Sequence, residues 1–315
     1  MKSSLLDVIV THFNPIRWQT PIGLRNNFIE HMLESGVRLT VIECAYGERP
    51  FEIEKKYPEV NYIQVRCKTL VWNKENLINL AIQRLPKDWK YVAWVDGDIT
   101  FRRPHWAVET VQALQQYPIV QPWSDAYDLG PNDEHLQHHK SFVRQWWLDE
   151  PVVATGEKFW KFNHGPYDYP HPGYAWAATR QAIEWLGGLF ELSGMGSADH
   201  HMALSLIGQA DKSLPGNVNP SYVKHLKQWE ARALHHINHN IGFVHGTIEH
   251  SFHGRKNDRQ YISRWDIMTN NDFDPDIDLK RNSDGVLELT GAKPQLNHAL
   301  DRYFRQRNED VNSLT

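Results

Sequence analysis

Cysteine, long apolar runs and strong net charge are all scarce in this chain, and each scarcity narrows what it does. Cys44 and Cys67 are its only cysteines among 315 residues. Each falls in an apolar, strand-like run, so both read as buried free thiols in a reducing compartment. No apolar stretch approaches the roughly 20 residues of a membrane span. The opening residues are apolar only briefly, because Asp7 interrupts them and no cleavage pattern follows, so no secretory signal is expected. A cytoplasmic location is the resulting expectation. The formal net charge is only -4, which supplies no global field for nucleic acid, although local basic clusters remain compatible with it. Repeats and low-complexity linkers are absent as well.

Aromatic and imidazole side chains are abundant instead: the chain holds 13 Trp and 18 His. Tryptophan in such numbers suits a site that stacks on flat or ring-shaped ligands, and it equally suits a large aromatic core. The first half alternates short apolar runs with amphipathic stretches. Strands are predicted over 7–13, 38–45, 60–66, 91–95 and 119–123, and helices over 21–35, 73–85 and 105–116. This β-α-β rhythm implies an α/β fold with a mainly parallel central sheet, whose ligands gather at the carboxyl ends of the strands.

The second half is less regular. Residues 125–172, rich in Trp, His, Asp and Pro, read as loops and short helices over the site. Strands are predicted over 173–180 and 241–252, and helices over 199–207, 221–238 and 259–268. Ser283-Asp284-Gly285 marks a hairpin turn, and 294–307 places Leu296, Leu300, Tyr303 and Phe304 on one side of a terminal helix. The expected organisation is a catalytic domain over 1–268 and a C-terminal appendage over 269–315.

The chemistry-bearing motif is Asp96-Gly97-Asp98, directly after the apolar run 91–95. Asp-x-Asp pairs arise by chance, and two more occur here, at Asp274-Pro275-Asp276 and Asp276-Ile277-Asp278. Context separates them. A carboxylate ending a buried strand is costly unless it binds something, and Gly97 lets the backbone turn beside a bulky ligand. Two carboxylates there suit a hard divalent ion, Mn²⁺ or Mg²⁺, clamped on a diphosphate. The later pairs fall in a polar loop and read as surface groups. Downstream, Gly194-Met195-Gly196-Ser197-Ala198-Asp199 puts a carboxylate at a helix start, where it can serve as a general base or as a cap. His250 and His253 follow. A mixed Asp/His shell favours Mn²⁺ over Mg²⁺. Arg255, Lys256, Arg259 and Arg264 form a basic run that suits a diphosphate and also fits a solvated helix face. His135, His138 and His139 lack a closing set of ligands for zinc.

In this order the motifs resemble the GT-A-type glycosyltransferases, in particular family-2-like enzymes of bacterial and phage type, over roughly residues 5–268. The resemblance implies a Rossmann-like nucleotide-diphospho-sugar transferase fold, a UDP-sugar donor and a divalent cation, Mn²⁺ or Mg²⁺. It implies that Asp98 ligates the metal, that Asp96 contacts metal or ribose, and that His253 with His250 completes the shell, His245 being a third choice. Thr11, Glu43, Lys74, Asn76 and Gly97 match nucleotide-pocket positions, and Arg255, Lys256 and Arg259 would meet the diphosphate. The stretch ending at Asp199 is similar to the Gly-Trp-Gly-Gly-Glu-Asp of inverting β-galactosyltransferases, whose final Asp is the catalytic base; Met195 and Ala198 depart from it. Gly173, Tyr174 and Trp176 resemble the strand bordering donor sugar and acceptor, and His200 joins them. Trp123, Trp146 and Trp147 offer stacking surfaces or core.

The function implied is a metal-dependent, inverting, hexosyltransferase-like enzyme. Its hydroxyl acceptor is left open among a glycan, a protein and hydroxymethylated phage DNA. Two other classes remain open: a nucleotidyltransferase that forms sugar nucleotides, and a non-catalytic sugar-nucleotide-binding protein. The absence of glycine from residues 11–20 counts against the first.

Overall fold

The structure is a computed structural model that describes residues 5–153, 170–260 and 263–314. The chain opens with β1 (Leu6–His12), α1 (Gln19–Ser35), β2 (Arg38–Tyr46), β3 (Asn61–Cys67), α2 (Lys74–Ile82) and β4 (Tyr91–Val95). It continues through β5 (Ile99–Phe101), α3 (Trp106–Ala113), β6 (Ile119–Gln121), β7 (Asp125–Leu129), β8 (His135–Lys140) and α4 (Phe142–Trp147). Next come β9 (Ala175–Thr179), α5 (Arg180–Leu186), α6 (Ala198–Leu206), α7 (Pro220–His236), β10 (Ile241–Phe243) and β11 (Thr247–His250). The chain closes with α8 (Trp265–Asn270), α9 (Pro275–Asp278), β12 (Leu279–Arg281), β13 (Leu287–Leu289) and α10 (Pro294–Gln306).

Seven strands form the large sheet, in the order β10-β6-β9-β4-β1-β2-β3. β3, β2, β1 and β4 run parallel, as do β10 and β6, while β9 is antiparallel to both β4 and β6. The mainly parallel sheet predicted from the rhythm is therefore present, with one reversed strand. Leu6, Val8, Ile9 and Val10 are all buried although they point alternately to opposite faces. Burial on both faces explains why β1 reads as a continuous apolar run. One face packs on α1 and α3 through Phe28, Met32 and Trp106, and the other on α2, α5, α6, α7 and α10. Most described tryptophans, including Trp94, Trp106, Trp123, Trp176, Trp229 and Trp265, are buried core groups. Cys44 and Cys67 are free and buried.

A second, four-stranded sheet was not anticipated. It has the order β5-β11-β7-β8 and begins where β4 ends, so Asp96-Gly97-Asp98 is the joint between the two sheets. The stretch read as loops and short helices, 125–172, does hold the short helix α4 but also contributes the unexpected hairpin β7/β8; its residues 154–169 lie outside the described residues. The single strand expected over 241–252 is two, with β10 on the large sheet and β11 on the small one. β8 is His-Leu-Gln-His-His-Lys, with no β-branched or aromatic side chain, and its pairing is set by distant partners. Of the helix expected over 259–268, residues 259–260 and 263–264 form turns and α8 begins at Trp265; residues 261–262 lie outside the described residues. At the C-terminus α10 buries Leu296, Leu300, Tyr303 and Phe304 in the core that also holds α2 and α6. The β12/β13 hairpin is anchored on Asn73 and Asn76 at the start of α2. No helix among the described residues is long and apolar enough to cross a membrane.

Candidate active site

A cavity of about 790 Å³ opens at the carboxyl edge of β1 and β4. Its wall is built from the loop after β1, the start of α2, the joint between the sheets, the start of α6, the segment after β11 and the end of α10. Parallel register explains the convergence: Ile9 of β1 lies beside Trp94 of β4, so Thr11 comes level with Asp96. Thr11, Lys74, Asp96, Gly97, Asp98, Tyr174, Asp199, His200, His250, His253, Lys256, Arg259 and Arg264 all line the cavity.

At its centre Asp98 Oδ2 lies 3.0 Å from His253 Nε2 and 3.5 Å from His250 Nε2. One ligand atom from each of the three residues falls within 4.8 Å of the others. The other carboxylate oxygen of Asp98, Oδ1, is buried and has no hydrogen-bond partner. A buried orphan oxygen beside two imidazoles is what a cation-binding carboxylate requires, so this donor set fits a divalent ion. Burial favours the neutral carboxyl, yet His250 and His253 outweigh it and hold Asp98 well below its usual range. The two imidazoles differ. Burial lowers both, but the carboxylates of Asp98 and Asp128 drive His250 up to about 10, whereas Arg259 beside His253 helps bring that one down to about 4.

Asp128, on β7, is the residue here that sequence reasoning missed. It is 3% exposed. Its Oδ1 accepts from Tyr174 Oη at 2.7 Å and lies 2.9 Å from His250 Nδ1. Its Oδ2 accepts from Lys256 Nζ at 2.5 Å and lies 2.9 Å from His139 Nε2. Against the penalty of burial, these partners hold the Asp128 carboxyl far below its ordinary range. By taking Nδ1, Asp128 aims Nε2 of His250 at Asp98, the geometry by which a carboxylate orients an imidazole ligand. The one sequence signal that could have found it was Asp128 itself in a Trp-Ser-Asp-Ala-Tyr-Asp run, and only pairing of β7 with β11 gives that run meaning. Lys256, expected at a diphosphate, has its ammonium on Asp128 and Gln137.

On the large-sheet side Asp96 pairs with Lys74. Burial raises the Asp96 carboxyl, with Lys74 opposing, while Lys74 itself is raised by Asp96 and Asp199 against its own burial. The Asp96 N–H donates to Tyr174 O at 2.8 Å, and Tyr174 holds a left-handed φ of 72°. Such a φ is strained for a bulky residue and recurs at functional sites. Asp199 sits in the first turn of α6, where Ser197 rather than Asp199 occupies the capping position. Its Oδ1 accepts from the His200 N–H at 2.8 Å. Its Oδ2 lies 2.6 Å from where a Cβ on Gly173 would be, so any larger residue there would have to displace the carboxylate. Burial lowers His200 to about 4.

Other expected residues lie elsewhere. Glu43 is outside the cavity wall: its carboxylate accepts from the Glu52 and Ile53 N–H groups and from Gln64. It thereby fixes the loop whose Glu52 holds His12 and Asn14 at the cavity rim, because a buried carboxylate needs fixed donors. Asn76 also lies outside, bonding Glu191 and the Leu287 N–H and so docking the C-terminal hairpin. Trp176 is core, its Nε1 donating to Pro172 O at 2.7 Å. Arg255 stands off the cavity near Asp258, and His245 is exposed beside Phe243. Arg259 donates to the His253 and Gly254 carbonyls, tying down the ligand loop. Arg264 donates to Ser197 Oγ at 2.8 Å. Trp146 and Trp147 pack against His239 and Tyr117, away from the cavity. The C-terminal segment adds Phe304, Arg307 and Glu309 to the wall.

No protein-family model and no curated protein sequence matches the chain. Among solved structures it is similar to the catalytic domain of Drosophila β1,4-galactosyltransferase 7 in complex with xylobiose, at 14% identity and a TM-score of 0.33, covering 67% of this chain and 62% of that one. The chain thus spans less than two thirds of that protein's length. It is also similar to a putative nucleotide-diphospho-sugar transferase from Desulfovibrio desulfuricans, at 10% identity and a TM-score of 0.32, covering 97% and 99% of the two chains. A third similarity is to 4-diphosphocytidyl-2C-methyl-D-erythritol synthase from Anaerococcus prevotii, at 11% identity and a TM-score of 0.35, covering 77% and 89%. At TM-scores this low the similarities carry no argument about function, which rests on the geometry of the site.

Proposed function

We propose that the chain is a metal-dependent, inverting glycosyltransferase of GT-A type that moves a sugar from a nucleotide-diphosphate donor, with a UDP-sugar favoured, to a hydroxyl acceptor. The carrying observation is the convergence of Asp98, His250 and His253 in the cavity that also holds Asp199. Asp98, His250 and His253 would hold the cation, with Asp96 at its edge, and Mn²⁺ fits this mixed oxygen and nitrogen set. When bound, the cation would neutralise charge on the departing diphosphate.

The remaining chemistry belongs to the chain. Asp199, whose Oδ1 accepts from the His200 N–H and whose Oδ2 lies 2.6 Å from where a Cβ on Gly173 would be, would take the proton from an attacking hydroxyl. Arg259, Arg264 and Arg307, which line the same cavity, would give the nucleotide a cationic surface. Lys74 keeps Asp96 and Asp199 from repelling one another across the floor. The test is a screen of nucleotide sugars for Mn²⁺-dependent hydrolysis, which needs no acceptor. Hydrolysis of one donor that disappears with Asp98→Asn supports the reading. Release of pyrophosphate from a nucleoside triphosphate and a sugar phosphate, without hydrolysis of any nucleotide sugar, would replace it with a nucleotidyltransferase.

A further inference from the structure

The last segment of the chain brings a carboxylate into the cationic part of the cavity, where the chemistry above has no use for one. Beyond α10 the backbone reverses at Asn308, which holds a left-handed φ of 49°. Two contacts then fix the segment. Its backbone rides on the loop that carries His253: a Cβ on Gly254, itself at a φ of 87°, would lie 2.8 Å from Asn308 O and 3.1 Å from Glu309 Cα. On the other side Asp310 Oδ1 accepts from the Thr20 N–H at 2.8 Å, in the first turn of α1. Helix α1 has neither a side-chain cap of its own nor an acidic residue in that turn. Asp310 supplies both from the far end of the chain, which gives the segment a defined seat.

Between these anchors stands Glu309, which lines the cavity with its side chain 13% exposed. Its Oε1 accepts from Arg307 Nε at 2.5 Å. Arg307 in turn lies over the Trp72 ring, 4.8 Å from its centroid, and donates to Tyr303 Oη at 3.0 Å. Burial favours the neutral carboxyl, but Arg307, His253 and Arg259 outweigh it and keep Glu309 below its ordinary range. The carboxylate therefore sits among the cations that the proposed reading gives to a diphosphate. Two anions on one small, partly buried surface repel each other, so one must leave when the other arrives. We propose that Glu309 is a built-in competitor for this surface: the C-terminal segment neutralises the cationic wall until a diphosphate displaces it. The identity of that diphosphate as a nucleotide rests on the glycosyltransferase reading. The seated segment lowers the apparent affinity of the diphosphate in proportion to its population, and its return helps the nucleotide depart after transfer.

The experiment compares the wild-type chain with Glu309→Gln, which keeps the shape and removes the charge, and with Asp310→Ala, which unties the segment from α1. Kd values for UDP, inorganic pyrophosphate and uridine are measured by calorimetry at Mn²⁺ saturating for each variant. Amide exchange over residues 308–312 is followed in parallel. Glu309→Gln is expected to tighten UDP and pyrophosphate by about tenfold and to change uridine by less than about twofold. Asp310→Ala should act in the same direction by about two- to threefold. In the wild type, exchange over 308–312 should quicken when UDP and Mn²⁺ are added. Diphosphate binding that is unchanged or weaker in Glu309→Gln overturns the proposal, because a carboxylate that only props Arg307 would lose affinity on removal. Equal tightening of uridine overturns it too, by tracing the effect to shape rather than charge. So does slower exchange with UDP, since the segment would then close over the nucleotide. Tighter pyrophosphate binding by Glu309→Gln, with no nucleotide sugar hydrolysed by the wild type, keeps the competitor and removes the glycosyltransferase reading. Hydrolysis with unaltered Kd values does the reverse.

Discussion

The large and the small sheet divide the site between them. From the large sheet come Asp96, at the end of β4, and the floor formed with Lys74, Glu75 and Asp199. Asp98, Asp128 and His250 belong to the small sheet, at the start of β5 and on β7 and β11, with His253 just beyond. The large-sheet half is acidic, with one ammonium among its carboxylates. The small-sheet half is a lattice of carboxylates and imidazoles around Asp98, whose Oδ1 is buried without a hydrogen-bond partner. In the proposed reading metal binding falls mainly to the small-sheet half and proton transfer to the large-sheet half, with Gly97 and Tyr174 both linking the two.

Substitutions can break this division. The largest expected effect is at Asp98→Asn, which removes the shared carboxylate: Mn²⁺ binding by calorimetry and Mn²⁺-dependent hydrolysis should both fall below detection. Asp199→Asn should cut transfer by about 10²–10⁴-fold, the usual worth of a general base, while Mn²⁺ and UDP still bind. If Asp199→Asn lost Mn²⁺ binding too, the halves would not be separable. Asp128→Asn should weaken Mn²⁺ affinity by about 10–100-fold through the orientation of His250, with a smaller change in UDP affinity at fixed saturating Mn²⁺. Gly173→Ala would place a Cβ 2.6 Å from Asp199 Oδ2 and 2.9 Å from His171 Cε1. Displacement of the base should lower the transfer rate by roughly 10–100-fold, leaving metal affinity close to wild type.

The smallest effect is on the pH dependence of stability in the metal-free protein, where His200 and His250 have opposite signs and His253 shares that of His200. His200 is lowered to about 4 by burial. Between that value and the ordinary 6.5 the unfolded chain binds the extra proton, so stability is full above about 6.5 and falls as pH drops toward 4. His250 is raised to about 10, so its contribution is full below about 6.5 and is lost as pH rises toward 10. Thermal melts should show shifts of a few degrees on each limb. His200→Gln should flatten the acid side and His250→Gln the alkaline side; the reverse pairing would contradict the assignment.

The same division decides how much was legible beforehand. Strands β1, β2, β3 and β4 and helices α1, α2, α6, α7 and α10 announce themselves, because burial on one stripe or both faces imprints periodicity on local sequence. Asp96, Asp98 and Asp199 stood out because each follows or begins such an element, and His250 and His253 by their spacing; the structure brings all five to one cavity. Glu43 and Asn76 misled, since a polar residue at an element's end looks the same whether it faces a ligand or anchors a loop. Asp128 and the β7/β8 hairpin were invisible, because their residues carry little strand preference and gain it only by pairing with β11.

By itself the sequence determined the α/β rhythm, the two carboxylates around Gly97 and the His-x-x-His spacing, all consequences of neighbours along the chain. Tertiary structure alone decided that the two carboxylates serve different sheets, that Asp128 orients His250, that Asn73 and Glu75 line the cavity, and that α10 helps to wall it. Those facts depend on which distant segments pack together, and that is governed by burial and pairing over the whole fold rather than by any local pattern.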